Sequence, residues 1–504
     1  MIEPLRLEVS SVPIDDLAES IASSIGQGAR LGLLTARLDD AMGIVLVAMS
    51  IDPRQARVRI WESPVVGDSY PSITLRVPQA HWCERAVSDL FGVRAVGHPR
   101  SKSLLLHEVW PEAFHPLASA TMPVEPGAAT RPKSYPFQIV KGEGVYEIPV
   151  GPIHAGIIEP GHFRFSCLGE VIQNLEIRLG YQHRGIEEQL ARTPWRQARH
   201  LAEAAGSDTR VGNALAHALA IEQLLEIAPP DTAVTLRAVA MEIERIASHI
   251  GDLGGICGDI GYAGASAVFA SMRGRALGLA ERLSGSRFMT GFVLPGGVAR
   301  GLPDETRMAI RREADAIAGA FESACDLLMD NSGALERMQG IGVVRPSLAR
   351  DFGLVGPSGR ASGVDYDVRR DLRQAPYRDL NCAVAVETTG DVHARVLVRV
   401  EEGRESLRLI RSLLDEQVGG PHRVKELSDA LPASRYGIGI VESWRGELIH
   451  AIRTSADGGM ARYHIKDPSF NNWTGLSVAA RGQLVADFPL CNKSFGLSYS
   501  GNDG

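Results

Sequence analysis

Across residues 234–250, Leu236, Val239, Ile243, Ile246 and Ile250 recur every three or four positions, which commits the stretch to a helix with one apolar face. Glu242, Arg245 and His249 share the same three-and-four spacing and form a polar stripe on another side. A glycine-rich run over 251–261 is expected to end this helix. Residues 274–283, 305–331 and 404–417 also read as helices. Long amphipathic helices in this number require a shared helical core, and 504 residues are enough to build it beside further units.

The first 110 residues have a different texture. A helix over 15–26 precedes β-branched runs at 43–51, 58–61 and 73–77, and a second helix is expected at 81–91. Residues 111–136 then carry six prolines and little periodicity, which predicts a linker or extended arm. Residues 150–190 read as strands and turns leading into a helix, and the last 70 return to mixed strands and loops. The expectation is an α+β protein: a small α/β domain over 1–110, a proline-rich arm over 111–140, and a large, mainly helical domain over 141–504 with peripheral strands.

Composition excludes several functions. A net charge of −7 without long basic runs argues against nucleic acid as a partner. The N-terminus is acidic and lacks the apolar core of a secretory signal. No run approaches the roughly 20 apolar residues of a membrane span, and 41–51 reads as a buried strand. Cysteines at 83, 167, 257, 325, 382 and 491 are far apart and form no CxxC, so local metal or cluster ligation and a disulfide framework are both disfavoured. Buried thiols in a reducing cytoplasm fit this pattern. The loop Gly356-Pro-Ser-Gly-Arg360-Ala-Ser-Gly363 lacks GK[ST], and no GxGxxG opens a helix after a strand, so no nucleotide is expected here.

Ordered motifs carry a resemblance. Glu84-Arg85, Asp89, Phe91-Gly92 and Gly97-His98-Pro99, with a leucine run and Trp110, resemble the signature of the 30 kDa-type subunit of complex I. From Gly151 onward the sequence resembles the 49 kDa-type subunit and the large subunit of group 4 nickel–iron hydrogenases. The matching blocks are Gly151-Pro152-Ile-His154, Glu159-Pro160-Gly-His162-Phe-Arg164, Leu179-Gly-Tyr-Gln-His183-Arg184-Gly185-Ile-Glu187 and Glu244-Arg245-Ile-Ala-Ser248-His249. They continue through Arg360 to Arg369 and from Glu442 to Glu447. Formate hydrogenlyase-type enzymes fuse the same two units. The first unit is then implied to dock the second.

Departures from the pattern matter as much. The resemblance implies four thiolates from two CxxC pairs, because soft sulfur suits nickel and iron. Aligned on Ala218-Leu-Ala-Ile-Glu222, the first pair falls at Gly206 and Thr209; the run Asp487 to Phe495 places the second at Ser498 and Gly501. All four positions lack sulfur, so no metal is expected in this chain. Other residues of the pattern survive. Glu159 matches a proton-passing glutamate and Arg445 an arginine held over the metal site; the plain alternative is that Glu159 caps a turn and Arg445 pairs with Glu442 or Glu447. His154, His162 and His183 invite a metal reading with Glu159, but their spacing is not that of a compact metal motif. Asp259 falls where an aspartate helps form a quinone-head pocket, although the tyrosine and histidine found there do not align. Met289 and Thr290 follow Arg287-Phe288, where complex I relatives carry histidine near a cluster. Arg360, Asp365 and Arg369 are implied to form a charge network.

The reading is a subunit of a membrane-associated, complex I-like or hydrogenase-like oxidoreductase. It holds no cofactor of its own and shapes the pocket beside a partner's [4Fe–4S] cluster, with quinone as a candidate acceptor. Implied partners are a small cluster-bearing subunit and antiporter-like membrane subunits, through which the chain would sit on the cytoplasmic face of a bacterial inner membrane. A non-catalytic scaffold and a true hydrogenase are the alternatives, the second disfavoured by the missing thiolates. Candidate site residues are Glu159, Arg445, His154 and Asp259.

Overall fold

The computed structural model describes residues 5–111, 114–118, 134–154, 158–415 and 418–504. Most of the expected proline-rich arm, residues 112–113 and 119–133, lies outside them. At the N-terminus the strands Arg6–Ser11, Arg57–Pro64, Gly43–Asp52 and Arg30–Asp39 lie side by side in that order, the first pair parallel and the others antiparallel. Helix Ile14–Gly26 turns Leu17 and Ile21 onto one face, against Leu34, Leu46 and Ala48, with Val87 and Phe91 of helix His81–Phe91. Each such buried side chain contributes about 1.5–3 kcal/mol. Leu33, Met49, Ile51 and Ile60 on the opposite face pack in one core with Ile438, Ile440 and Trp473 from the other end of the chain. Burial on both faces explains the unbroken apolar run at 44–49.

One expected strand is absent. Residues 73–77 form a turn because the buried Glu84 carboxylate gathers the N–H groups of Ile73 and Thr74 and the hydroxyls of Ser72 and Thr74. Backbone donors spent on a carboxylate are lost to a ladder.

In the large unit, helices Asp231–Asp259, Ala263–Ser284, Asp304–Met329 and Val392–Asp415 pack around one apolar core. The glycines after residue 250 do not end the first of these helices, which runs to Asp259. They thin its surface instead: a Cβ on Gly254 would lie 3.0 Å from Phe269 Cβ, and one on Gly255 2.9 Å from Lys493 Cδ. Close helix packing outweighs the helix cost of glycine, about 1 kcal/mol each.

The polar stripe Glu242, Arg245, His249 is fully buried. It meets a second layer of charge. Arg369 reaches Glu242 at 3.2 Å and Asp367 at 2.7 Å, Arg360 reaches Glu402 at 2.6 Å and Glu442 at 2.8 Å, and His249 Nε2 lies 2.8 Å from Glu402. Asp365 is not part of this network. It is exposed and pairs with Arg370, while Asp367 takes the buried position.

Two antiparallel sheets complete the unit: Val145–Val150, His162–Leu168 and Val171–Arg178, and Tyr436–Ser443, Gly446–Thr454 and Met460–Lys466. Short helices Ser469–Ala479, Phe488–Phe495 and Tyr499–Asp503 close the chain. No helix among the described residues is long and apolar enough to cross a membrane.

Candidate functional site

Strands Tyr436–Ser443 and Gly446–Thr454 meet at a tip that carries Trp444 and Arg445. Glycine sets the position of that tip. Gly356 has φ +60, and a Cβ there would lie 1.9 Å from the Arg445 carbonyl oxygen; Gly446 has φ +128 and a Cβ on it would lie 2.6 Å from Gly356 N. Only two glycines permit so close a backbone approach.

Arg445 then ties three segments together: its own hairpin tip, the loop at 208–209 and the turn at Gly496. Its Nη1 and Nη2 donate to the two oxygens of Asp208 at 2.6 and 2.8 Å, Nη1 also donates to Thr209 Oγ1 at 3.0 Å, and Nε donates to the Gly496 carbonyl. The guanidinium stacks 3.8 Å from the Trp444 ring centroid, and Trp444 Nε1 donates to the Asp208 carbonyl. Burial opposes the charge of Arg445, but Asp208, followed by Asp467 and Asp252, outweighs it and raises its pKa. Asp208 keeps 44% of its side chain exposed, and against the cost of its covered part Arg445 holds the carboxyl below its usual range.

The four positions marked for thiolates lie at or just before two helix starts, and Thr209 among them is bound by Arg445. Thr209 precedes helix Arg210–Leu225, and Ser498 caps Tyr499–Asp503 by accepting the Gly501 N–H at 2.9 Å. A Cβ on Gly501 would lie 2.4 Å from Asp467 Oδ2, so the Asp467 carboxylate fills the space a side chain at 501 would need. Asp467 is 3% exposed; burial raises its pKa, and Arg445 offsets that only in part. Two glycines, a threonine bound to Arg445 and a serine occupied in capping do not fit a nickel–iron centre, which demands soft, anionic sulfur.

The other expected residues are placed separately. Glu159 Oε2 accepts the N–H groups of Tyr499 and Ser500 at 3.2 and 3.0 Å, so it does cap a helix start, one that carries two of the marked positions. Arg445 pairs with Asp208 rather than with Glu442 or Glu447; those carboxylates hold Arg360 and Tyr366. His154 Nε2 lies 2.8 Å from the Gly161 carbonyl, His162 Nδ1 3.2 Å from that of Gly151, and His183 Nδ1 2.6 Å from that of Asp503, so one nitrogen of each ring is held by backbone. Asp259 is bound by Lys493 at 2.7 Å, on the helix two turns past Asp252.

Sequence reading missed three groups. Asp208 lies between two marked positions and gave no motif of its own. A buried polar chain braces its loop: Asn213 Nδ2 donates to the Thr209 carbonyl, leaving its Oδ1 to accept from His450 Nε2 at 3.0 Å. His450 Nδ1 must then accept from the Tyr463 hydroxyl at 2.7 Å, and that oxygen accepts from His217 Nδ1 at 2.9 Å. Burial keeps both histidines neutral by lowering their pKa values, that of His217 to about 4.

Glu244 is the third. It lies in a cleft with Asp208, Arg210 and Arg287, accepting the N–H groups of Val211 and Gly212 at 2.7 and 3.1 Å. Burial, against those two N–H groups, raises its pKa from 4.5 to about 7. The folded state therefore binds a proton more tightly than the unfolded one, so stability from this group falls as pH rises from about 4.5 to 7, by about 3 kcal/mol in total. Glu442, raised to about 7 chiefly by burial, acts with the same sign. In Glu244→Gln, urea unfolding at pH 5 and pH 7.5 should show a smaller decline than in the unmodified chain; an equal decline would remove Glu244 as its source.

A family model described as "Respiratory-chain NADH dehydrogenase, 49 Kd subunit" matches residues 259–437, and one for the 30 Kd subunit matches 14–124. Formate hydrogenlyase subunit 5 of Escherichia coli is 33% identical over 439 residues, covering 86% of this chain and 77% of that protein. The chain belongs to this family of fused 30 kDa- and 49 kDa-type subunits. Hydrogenase-4 component G of Escherichia coli, another member, is 31% identical over 465 residues, 91% of this chain and 80% of that protein. A chain from the solved structure of the membrane-bound sulfane sulfur reductase, an archaeal respiratory membrane complex, superposes with a TM-score of 0.68 at 26% identity, covering 72% of this chain and 99% of that one.

Proposed function

We propose that this chain is the large subunit of a membrane-associated oxidoreductase that works without nickel, forming the pocket beside a [4Fe–4S] cluster held by a small partner subunit. One observation carries the reading: where four thiolates would stand, a buried arginine is paired with Asp208 and the Asp467 carboxylate fills the space beside Gly501. Such a pocket can bind and orient a polar acceptor and exchange protons with it, and a fixed guanidinium stabilises charge that develops there. Relatives named for hydrogen, for quinone and for sulfane sulfur support a fold that serves several acceptors. Glu159 is the proposed second proton-handling group, His154 supports its loop, and Asp259 marks the side on which a quinone head would be sought. Membrane subunits with antiporter-like architecture, and attachment at the cytoplasmic face of a bacterial inner membrane, complete the proposal.

The test is to tag the chain in its native host, isolate the intact complex, and measure nickel, iron and the paramagnetic signal of the cluster. Iron with a reducible cluster and no stoichiometric nickel is the expected result; one nickel per chain overturns the proposal. Arg445→Lys keeps the charge but loses the two-pronged grip on Asp208, so electron transfer should fall by about 10²-fold or more while assembly is unchanged. If Arg445→Lys and Glu159→Gln both transfer electrons as the unmodified complex does, the chain is a scaffold.

A further inference from the structure

None of the roles above uses the cavity between the N-terminal unit and the end of the chain. Leu34, Val87, Leu90 and Phe91 give it an apolar wall, and His464, Lys466, Asp467 and Asn502 a polar one. Its volume is about 60 Å³. At about 10–15 Å³ for each water, that is room for about four, and far less than the roughly 300 Å³ or more of a pocket for an organic ligand.

We propose that this cavity holds a cluster of ordered waters that delivers protons to the Asp467 carboxylate, and through it to the pocket around Arg445. Two buried acceptors call for water. Asn502, 6% exposed and lining the cavity, has an Oδ1 without a protein partner among the described residues. Behind the lining residue Lys466, Glu447 Oε1 is also buried and unpartnered by any hydrogen bond; the Lys466 ammonium is 3.6 Å from it, a separation that a water entering from the cavity closes. A buried oxygen left without a hydrogen bond is costly in both groups, so water that reaches them is favourable.

Asp467 connects the cavity to the pocket. One carboxylate oxygen accepts the Ser469 N–H at 2.8 Å; the other lies against Gly501, in the volume left by the missing side chain. The charges of Arg445 and Asp208 act on it, Lys466 precedes it at the end of strand Met460–Lys466, and Glu187 and Asp503 line the cavity. The step is proton transfer alone. A proton from bulk solvent is relayed along the cavity waters, each water taking one proton as it passes one on, to Asp467; the resulting carboxylic acid passes it to the acceptor being reduced beside Arg445, and both the waters and the carboxylate are restored. Electrons arrive from the partner's cluster, and in naming that destination the proposal rests on the function proposed above.

A crystal structure of the full chain that resolves waters tests the first half. Water is expected within hydrogen-bond distance of Asn502 Oδ1 and between Lys466 and Glu447, and a dry cavity overturns the proposal. For the second half, the infrared carboxyl band lost in Asp467→Asn is followed during transfer into D₂O. Ala86→Leu, which projects into the cavity, should slow its exchange several-fold; Asn502→Leu, which removes the polar anchor, should do the same if the first variant folds poorly. An unchanged exchange rate in a folded variant, or no band assignable to Asp467 at any pH where the chain is folded, also overturns it. A negative result in a complex that still transfers electrons without nickel leaves the proposed function standing.

Discussion

Replacing Arg360 by methionine is expected to lower the unfolding free energy by about 3–5 kcal/mol, the range found when one partner of a buried ion pair is removed. Arg360 is 1% exposed and holds Glu402 at 2.6 Å, Glu442 at 2.8 Å and Asp367 at 3.4 Å. Methionine fills most of the volume, so the loss reports stranded carboxylates more than an empty space. The sign with pH follows. Glu402 is held well below the usual carboxylate range: burial pushes its pKa up, and Arg360 and His249 pull it further down. A carboxyl lowered in the folded state gives stability above its unfolded pKa, and removing Arg360 takes that away. The deficit should therefore be largest near neutral pH and shrink as acid protonates the stranded groups. Adding Glu402→Gln to Arg360→Met should recover part of the loss. Urea unfolding of the single and double variants at two pH values checks this, and a deficit that is flat with pH would refute the electrostatic account.

Gly356→Ala is the second large effect, and it joins the fold to the site. The new Cβ would lie 1.9 Å from the Arg445 carbonyl oxygen and 2.7 Å from Gly446 Cα, both backbone, on a residue with φ +60. Left-handed strain costs about 1–2 kcal/mol and overpacking about 1–3 kcal/mol, so a loss of about 3 kcal/mol is expected. The hairpin tip has to shift, which pulls Arg445 from Asp208 and Thr209. Electron transfer in the isolated complex should drop along with stability. Gly274→Ala is the control: its Cβ meets nothing within 4 Å, in the middle of helix Ala263–Ser284, so it should be neutral or stabilise by up to about 1 kcal/mol. Equal behaviour of the two variants would rule out the close approach as the cause.

Helices were legible wherever apolar spacing ran long. The expected helix over 81–91 stands as His81–Phe91, and that over 305–331 as Asp304–Met329. The strand at 43–51 was legible for the same reason, since a continuous apolar run bounded by turns suits a sheet covered on both faces. The errors share a cause as well. Residues 73–77 have strand-like side chains but give their backbone donors to Glu84, and residues 251–258 have a helix terminator's glycines but sit against neighbouring side chains. In both places a contact distant in the sequence overrode a local preference.

The sequence by itself determined the helical core, the N-terminal sheet, the order of the motifs and the absence of sulfur at the marked positions, because all of these are properties of residue type and spacing along one element. Tertiary structure alone decided the chemistry of the pocket. Arg445 and Asp208 are 237 residues apart, and Asp467 reaches the space beside Gly501 only because a strand and a terminal helix pack together. Periodicity records which face of an element is buried, but it carries no information about which charge waits on the other side. Charges taken out of water must find partners wherever the packing brings them, and here that packing set Arg445 against Asp208.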